Sequence, residues 1–288
     1  MHAAETLETL ISPGAPIVRA PGAFDSFSAR LVESAGFPAV YMTGFGATAS
    51  RLGMPDIGLL TQTEMTEHAR NMVRSTSIPV IADADTGYGG PSNIDRTVQE
   101  YLQAGVAAIH LEDQVAPKRC GQMAGIRLMP VAESARRVEA AVAARKAGSL
   151  LVIARTDALA ATGHEDAIAR AKRYRDAGAD LVFVDGVKTR YDVDYVAENL
   201  NGPKVVSLVD GTEAATLSAS ELEERGFSVV FYALTALFSA ATAMRKSLSD
   251  LNRTGRITAG DDAITYAEYS DIVGLQYHQK LDNEFGAL

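Results

Sequence analysis

A small or charged residue, then glycine, then a β-rich apolar run recurs four times along this chain. The copies are Ser34-Ala35-Gly36 before Phe37–Met42, Gln103-Ala104-Gly105 before Val106–Leu111, Asp176-Ala177-Gly178 before Ala179–Val184, and Glu224-Arg225-Gly226 before Phe227–Tyr232. Glycine just past an amphipathic segment marks a helix C-cap, because it enters the left-handed region without steric cost. The unbroken apolar run that follows reads as a strand covered on both faces, as in parallel sheets. Four further runs, Ile17–Ala20, Ile78–Ala82, Leu150–Ala154 and Lys204–Leu208, raise the expected strands to eight. Helical patterning is predicted near 24–35, 64–75, 92–104, 131–147, 165–177, 190–200, 217–225 and 235–253. Such alternation specifies an α/β fold, a (β/α)8 barrel of the TIM type, with a doubly wound open sheet as the competing arrangement. No linker divides the chain, so 1–288 reads as one barrel domain. A C-terminal helical extension from about 255 to 288 is expected to pack on the barrel or on a neighbouring subunit.

Composition narrows the function classes. The net charge of −9 argues against nucleic acid or an anionic membrane as partner, so an anionic substrate must be captured by local Arg and Lys. No stretch approaches the roughly 18 apolar residues of a membrane span, and the acidic start Met1-His2-Ala3-Ala4-Glu5 shows no secretion signal. A single cysteine excludes an intrachain disulfide and suits a reducing cytoplasm.

In a barrel of this kind the strand C-termini gather at one mouth. Here they carry Tyr41-Met42-Thr43-Gly44-Phe45-Gly46, Asp83-Ala84-Asp85, Glu112-Asp113, Arg155-Thr156-Asp157, Asp185-Gly186 and Ser207. Asp83, Asp85 and Glu112 form an oxygen-only cluster suited to Mg²⁺, with Mn²⁺ as a substitute, although acids in these places could instead cap helices. Thr43, Gly44 and Phe45 lie in a glycine-containing turn whose amides could cradle a carboxylate, or form a plain βα turn. Arg155 ends an otherwise apolar strand; it either grips a substrate carboxylate in bidentate fashion or pairs internally with Asp83 or Asp185. His110, inside a strand, and His164, at a helix start, read as structural.

Cys120 sits in Lys118-Arg119-Cys120-Gly121-Gln122, where neighbouring cations are expected to favour the thiolate and make it a general acid/base. Metal ligation by this cysteine is disfavoured, since no second Cys or His pair accompanies it. The segment from Gln114 to Leu128 is long for a βα loop and reads as a mobile lid that excludes water over bound ligand.

Taken in order, Tyr41–Gly46 with Gly53-Met54-Pro55-Asp56, Asp83–Gly89, Ile109–Gln114, Lys118–Gly121 and Ala154–Asp157 resemble the isocitrate lyase/phosphoenolpyruvate mutase superfamily over roughly 15–250. The Lys-Arg-Cys-Gly loop is similar to that of its C–C lyase branch. The resemblance implies a homotetramer whose barrels exchange their eighth helix. It also implies Mg²⁺ near Asp85, with Asp83 and Glu112 in the outer shell. The keto-acid half of the substrate would rest on Thr43–Phe45 and Arg155, with Asp56 in the same site and Tyr41 at the substrate hydroxyl. Lys118 and Cys120 would join the catalytic set, and Arg119, Gly121, Gln122, Asp185 and Ser207 would contact substrate.

Three positions depart from the pattern: Gln122 where the lyases usually have His, Asp185 where many have Glu, and Ser207 where Asn is frequent. Gln donates a hydrogen bond but carries no charge, so a second carboxylate would be held less firmly. The expected reaction is Mg²⁺-dependent cleavage of a 2-hydroxy di- or tricarboxylate, 2-methylisocitrate- or dimethylmalate-like, to a keto acid and a carboxylic acid. Oxaloacetate hydrolysis or decarboxylation and phosphonate chemistry are the alternatives on the same site, and a non-catalytic dicarboxylate-binding barrel is a third.

Overall fold

A computed structural model describes residues 2–145, 150–257, 260 and 263–286 of the chain. Eight strands, β1 (Val18–Ala23), β2 (Val40–Met42), β3 (Val80–Asp83), β4 (Ala108–Glu112), β5 (Leu151–Thr156), β6 (Leu181–Val184), β7 (Lys204–Leu208) and β8 (Val229–Tyr232), pair in chain order. All pairings are parallel, and β8 closes onto β1 through Val18–Val229 to Pro21–Tyr232. The open-sheet arrangement is thereby excluded.

The helices are α1 (Ala3–Leu10), α2 (Ser26–Ser34), α3 (Gly44–Leu52), α4 (Gln62–Ser75), α5 (Pro91–Ala104), α6 (Val131–Ala144), α7 (Ala158–Ala161), α8 (His164–Asp176), α9 (Arg190–Asn199), α10 (Ala219–Glu224), α11 (Thr235–Thr254), α12 (Tyr266–Ile272) and α13 (Leu275–Phe285). The predicted helical segments coincide with α2, α4, α5, α6 and α8 to α11, and the last two residues predicted for α6 lie outside the described residues. The four repeat glycines, Gly36, Gly105, Gly178 and Gly226, have φ of 80, 86, 95 and 74°, which is why each ends a helix where it does.

Two unpredicted helices sit at the two ends of the barrel. Helix α1 closes the N-terminal end of the barrel, its Leu7 buried in one cluster with Val18, Ile81, Leu151, Val205 and Val229. Helix α3 begins directly at Gly44, so the expected glycine turn after β2 is a helix N-terminus capped by Thr43.

Helix α11 stands apart from this economy, since none of its residues is buried. A gap of about 740 Å³ separates it from α2, lined by Phe24, Phe27, Leu31, Phe37 and Met244 among others. Helix α12 lies on α2, where Arg30 Nη1 donates to the Ile272 carbonyl at 3.0 Å and Phe27 meets Tyr269. Among the described residues no helix is long and apolar enough to cross a membrane.

Candidate active site

Register places the charged strand ends side by side: Asp83 of β3 is opposite His110 of β4, and Glu112 of β4 opposite Arg155 of β5. Asp83 is tied to the backbone, accepting from the Asp85 amide at 2.9 Å and from the Gly44 amide at 3.1 Å. A side chain on Gly44 would collide with that carboxylate, which explains the glycine. Burial alone would raise the Asp83 pKa, but His110, Lys118, Arg155 and the Asp85 amide hold it at about 2. Asp85 follows in the left-handed region at φ 45°, a conformation a non-glycine residue keeps only where its surroundings enforce it. Burial pushes its carboxyl up to about 6, against the pull of Lys118. Burial drives Glu112 well above the usual carboxylate range, and neither of its oxygens receives a hydrogen bond. These acids do not cap the helices that follow their strands: the N-caps of α5 and α6 are Gly90 and Pro130. Among the described residues, no three His, Cys, Asp or Glu side chains are gathered as a ready-made metal cage.

The loop from Gln114 to Leu128 lies folded over this cluster. Lys118 Nζ stands 2.7 Å from Asp56 and 2.9 Å from Asp85, buried and held charged by those carboxylates and Glu112 against the cost of its burial. The Cys120 amide donates to the Asp56 carbonyl at 3.0 Å. Here the structure corrects two expectations. The loop cations do not serve the thiol: Lys118 is engaged with carboxylates, and exposed Arg119 turns to the Ala124 carbonyl, away from the cavity in which it was expected to bind substrate. Burial, with Asp56 and Asp185 adding to it, instead raises Cys120 to about 11, so the sulfur carries its proton. A side chain on Gly121 would collide with Asp185 Oδ2, so glycine there lets the loop pack close against the strand ends.

Arg155 is also not free. Its Nη2 donates to Asp185 at 2.5 Å and to Asp157 at 2.8 Å, while Nε is 3.4 Å from Glu112. The internal pairing with Asp185 is thus present and that with Asp83 is not, so the guanidinium is already partly committed to carboxylates. The guanidinium also lies over the Phe183 ring at 5.4 Å. Tyr41 stacks on Phe231 with ring centroids 4.1 Å apart and shares a 2.9 Å hydrogen bond with His110 Nε2. Burial raises the phenol well above 10, and Asp83 adds to the shift. Burial lowers His110 to about 4, which leaves its ring neutral. His110 is therefore a core residue that holds a site residue, a role the pattern of an apolar strand hides. His164 pairs with Asp192 at 2.7 Å, among Tyr191 and Tyr195.

Tyr41, Thr43, Phe45, Asp56, Asp83, Cys120, Gly121, Gln122, Arg155, Asp185 and Ser207 line one cavity, with about 50 Å³ of room at the radius of water. Gly44, Asp85, Glu112 and Lys118 stand outside this lining. The Gly44 amide of the expected cradle is spent on Asp83, while that of Phe45 has no partner among the described residues. Sequence reasoning missed the apolar wall of Phe183, Val209, Ala233 and Leu234, whose residues look like ordinary strand interior. It also missed Asp113, which accepts from Thr156, the Asp157 amide, Tyr174 and Arg170 and so fixes the end of β5.

A buried carboxylate cluster at the C-terminal mouth of a (β/α)8 barrel, covered by a cysteine-bearing loop, defines a class of enzyme. The phosphoenolpyruvate phosphomutase family model matches residues 7–252, and the chain belongs to the PEP mutase/isocitrate lyase superfamily. It is 38% identical over 287 residues to the 2,3-dimethylmalate lyase of Eubacterium barkeri, covering 99% of each chain. Its fold superposes on oxaloacetate acetylhydrolase in complex with 3,3-difluorooxalacetate with a TM-score of 0.93 and 34% identity, over 99% of this chain and 98% of the other. Phosphonopyruvate hydrolase in complex with oxalate and Mg²⁺ gives a TM-score of 0.89 at 28% identity, over 99% of each. By class the chain is a carbon–carbon lyase.

Proposed function

We propose that the protein cleaves a 2-hydroxy di- or tricarboxylate, of the dimethylmalate or 2-methylisocitrate kind, to an α-keto acid such as pyruvate and a carboxylic acid. The observation that carries this reading is the protonated Cys120 thiol on the wall of the cavity that also holds Tyr41, Gln122 and Ser207. Carbon–carbon cleavage leaves a carbanion that must be protonated, and a buried thiol is placed to deliver that proton.

Mg²⁺ suits the cluster beside the cavity. Glu112 offers two buried oxygens without donors, Asp85 is destabilised as a carboxylate, and Asp83 is anchored to support them. A hard cation of this type takes one or two protein carboxylates and completes its shell with water and substrate oxygens, so a ready-made cage is not required. When bound, it supplies positive charge against the developing keto acid. Among the protein's own groups, the Phe45 amide and the edge of Arg155 hold the keto-acid carboxylate. Tyr41 meets the substrate hydroxyl as a hydrogen-bond partner held by His110; since its phenol keeps its proton, the hydroxyl proton is taken by a carboxylate of the neighbouring cluster. Lys118, Gly121 and Gln122 descend with the lid and exclude water, so that the proton reaches the carbanion from sulfur.

The test is release of keto acid from a panel of 2-hydroxy di- and tricarboxylates, coupled to keto-acid reduction. Turnover of at least one panel member is expected. Cleavage of oxaloacetate or phosphonopyruvate alone would replace the lyase reading with the hydrolytic one, which the likeness to oxaloacetate acetylhydrolase keeps in view.

The same reading extends to assembly. The unburied α11 and the apolar gap beside α2 suit the exchange of this helix between subunits of a homotetramer. A tetrameric mass in solution is the expected measurement, and a monomer would refute it.

A further inference from the structure

We infer that Gln114 is the positioning residue for Lys118 and Cys120, a latch built from one side-chain amide. This rests on the reading of the 114–128 loop as part of the site. Gln114 is 1% exposed, immediately after Glu112-Asp113 at the end of β4. Its Nε2 donates to the Arg119 carbonyl at 2.8 Å, and its Oε1 accepts from the Arg119 amide at 2.9 Å. The Arg119 amide belongs to the peptide unit joining Lys118 to Arg119. The Arg119 carbonyl belongs to the unit joining Arg119 to Cys120. One side chain therefore pins both peptide planes between the two reactive residues of the lid, and it does so without touching either of them.

The anchor is itself fixed. Gln114 bridges Leu128 at the far end of the loop, and the Val115 amide donates to the Arg127 carbonyl at 2.8 Å. The Met129 amide, one residue further, donates to the Asp113 carbonyl at 2.9 Å. The base of the lid is thus closed by backbone pairing, while its tip is held down by the Gln114 amide, the Cys120–Asp56 hydrogen bond and the Lys118 ion pairs. The chemistry demands glutamine. Glutamate of the same length accepts but does not donate when ionised, methionine has the reach without either function, and asparagine is a methylene too short. Arg119's own guanidinium is exposed on the Ala124 carbonyl, so this residue contributes to the site through its backbone.

The single cysteine makes the latch directly measurable, because alkylation of the intact protein reads Cys120 alone. Gln114→Met and Gln114→Glu preserve volume, and circular dichroism verifies the fold of each. Iodoacetamide labelling at pH 8.5 is expected to be slow in the wild type and slower still with oxalate and Mg²⁺. Labelling of the Met variant should rise by about tenfold and lose that protection, with the Glu variant between, since local opening exposes the thiol. On whichever panel acid is turned over, kcat of the Met variant should fall roughly 10²-fold, the cost of misplacing reacting groups by about 1 Å. A purely packing role would leave methionine as good as glutamine. Wild-type labelling rates in the Met variant would overturn the latch. Because labelling uses no lyase substrate, it decides the latch even if the lyase reading fails.

Discussion

The two ends of this barrel are built on opposite principles. At the N-terminal end, Leu7 of α1 is packed with Val18, Ile81, Leu151, Val205 and Val229, all buried and apolar. At the C-terminal mouth, Asp56, Asp83, Asp85, Glu112, Asp157 and Asp185 crowd around Lys118 and Arg155, with Glu112 left unsatisfied. Removing water from apolar groups is favourable, while removing it from charges is costly unless they are fully paired. One end therefore supplies stability to the other, which holds an excess of acids over cations that only an added cation or protons can balance. The division assigns folding to one face and chemistry to the other.

Substitution at each end should separate the two properties. The largest effect is expected for Cys120→Ser: loss of about 10³ in kcat, the scale of a displaced general acid, with unchanged thermal stability and retained binding of pyruvate with Mg²⁺. Turnover within a few-fold of wild type would remove sulfur from the chemistry. Leu7→Ala tests the other end. It should cost about 3 kcal/mol in denaturant unfolding through the lost apolar contact and the cavity left behind, while kcat per folded molecule stays unchanged. A proportional loss of kcat would show that the two ends are not separable.

A third effect concerns the mouth alone. A thiol raised from 9.0 to about 11 holds roughly 10² less thiolate than a free cysteine at any pH well below both values. The iodoacetamide rate against pH should have its midpoint near 11, and a midpoint near 8 would return the loop cations to the role the sequence suggested. The smallest effect is expected for Gln122→His. A charged donor on the cavity wall should shift kcat/KM by about tenfold toward substrates with an additional carboxylate, 2-methylisocitrate over dimethylmalate. An unchanged order of preference would show that residue 122 does not read the substrate.

Much of this was legible before folding was considered. Gly36, Gly105, Gly178 and Gly226 announced helix ends because a positive φ is a local property of the chain. The barrel followed from counting the runs between them, and the strand-end positions of Asp83, Asp85, Glu112 and Arg155 followed from the barrel. Helix α1 escaped because barely two turns of Ala, Glu, Thr and Leu carry little periodic signal, and its reason for existing is the hole it fills at the barrel's end.

Tertiary structure alone decided what those groups do to one another. Lys118 belongs to Asp56 and Asp85, and Arg155 to Asp157, Asp185 and Glu112. Cys120 is an acid rather than a thiolate because of its burial and, secondarily, the acids around it. The sequence determines which chemical groups are present and at which end of the barrel they arrive, since strand and helix signals are local. Protonation and pairing depend on distance and on the exclusion of water between residues tens of positions apart, and neither exists until the chain has closed.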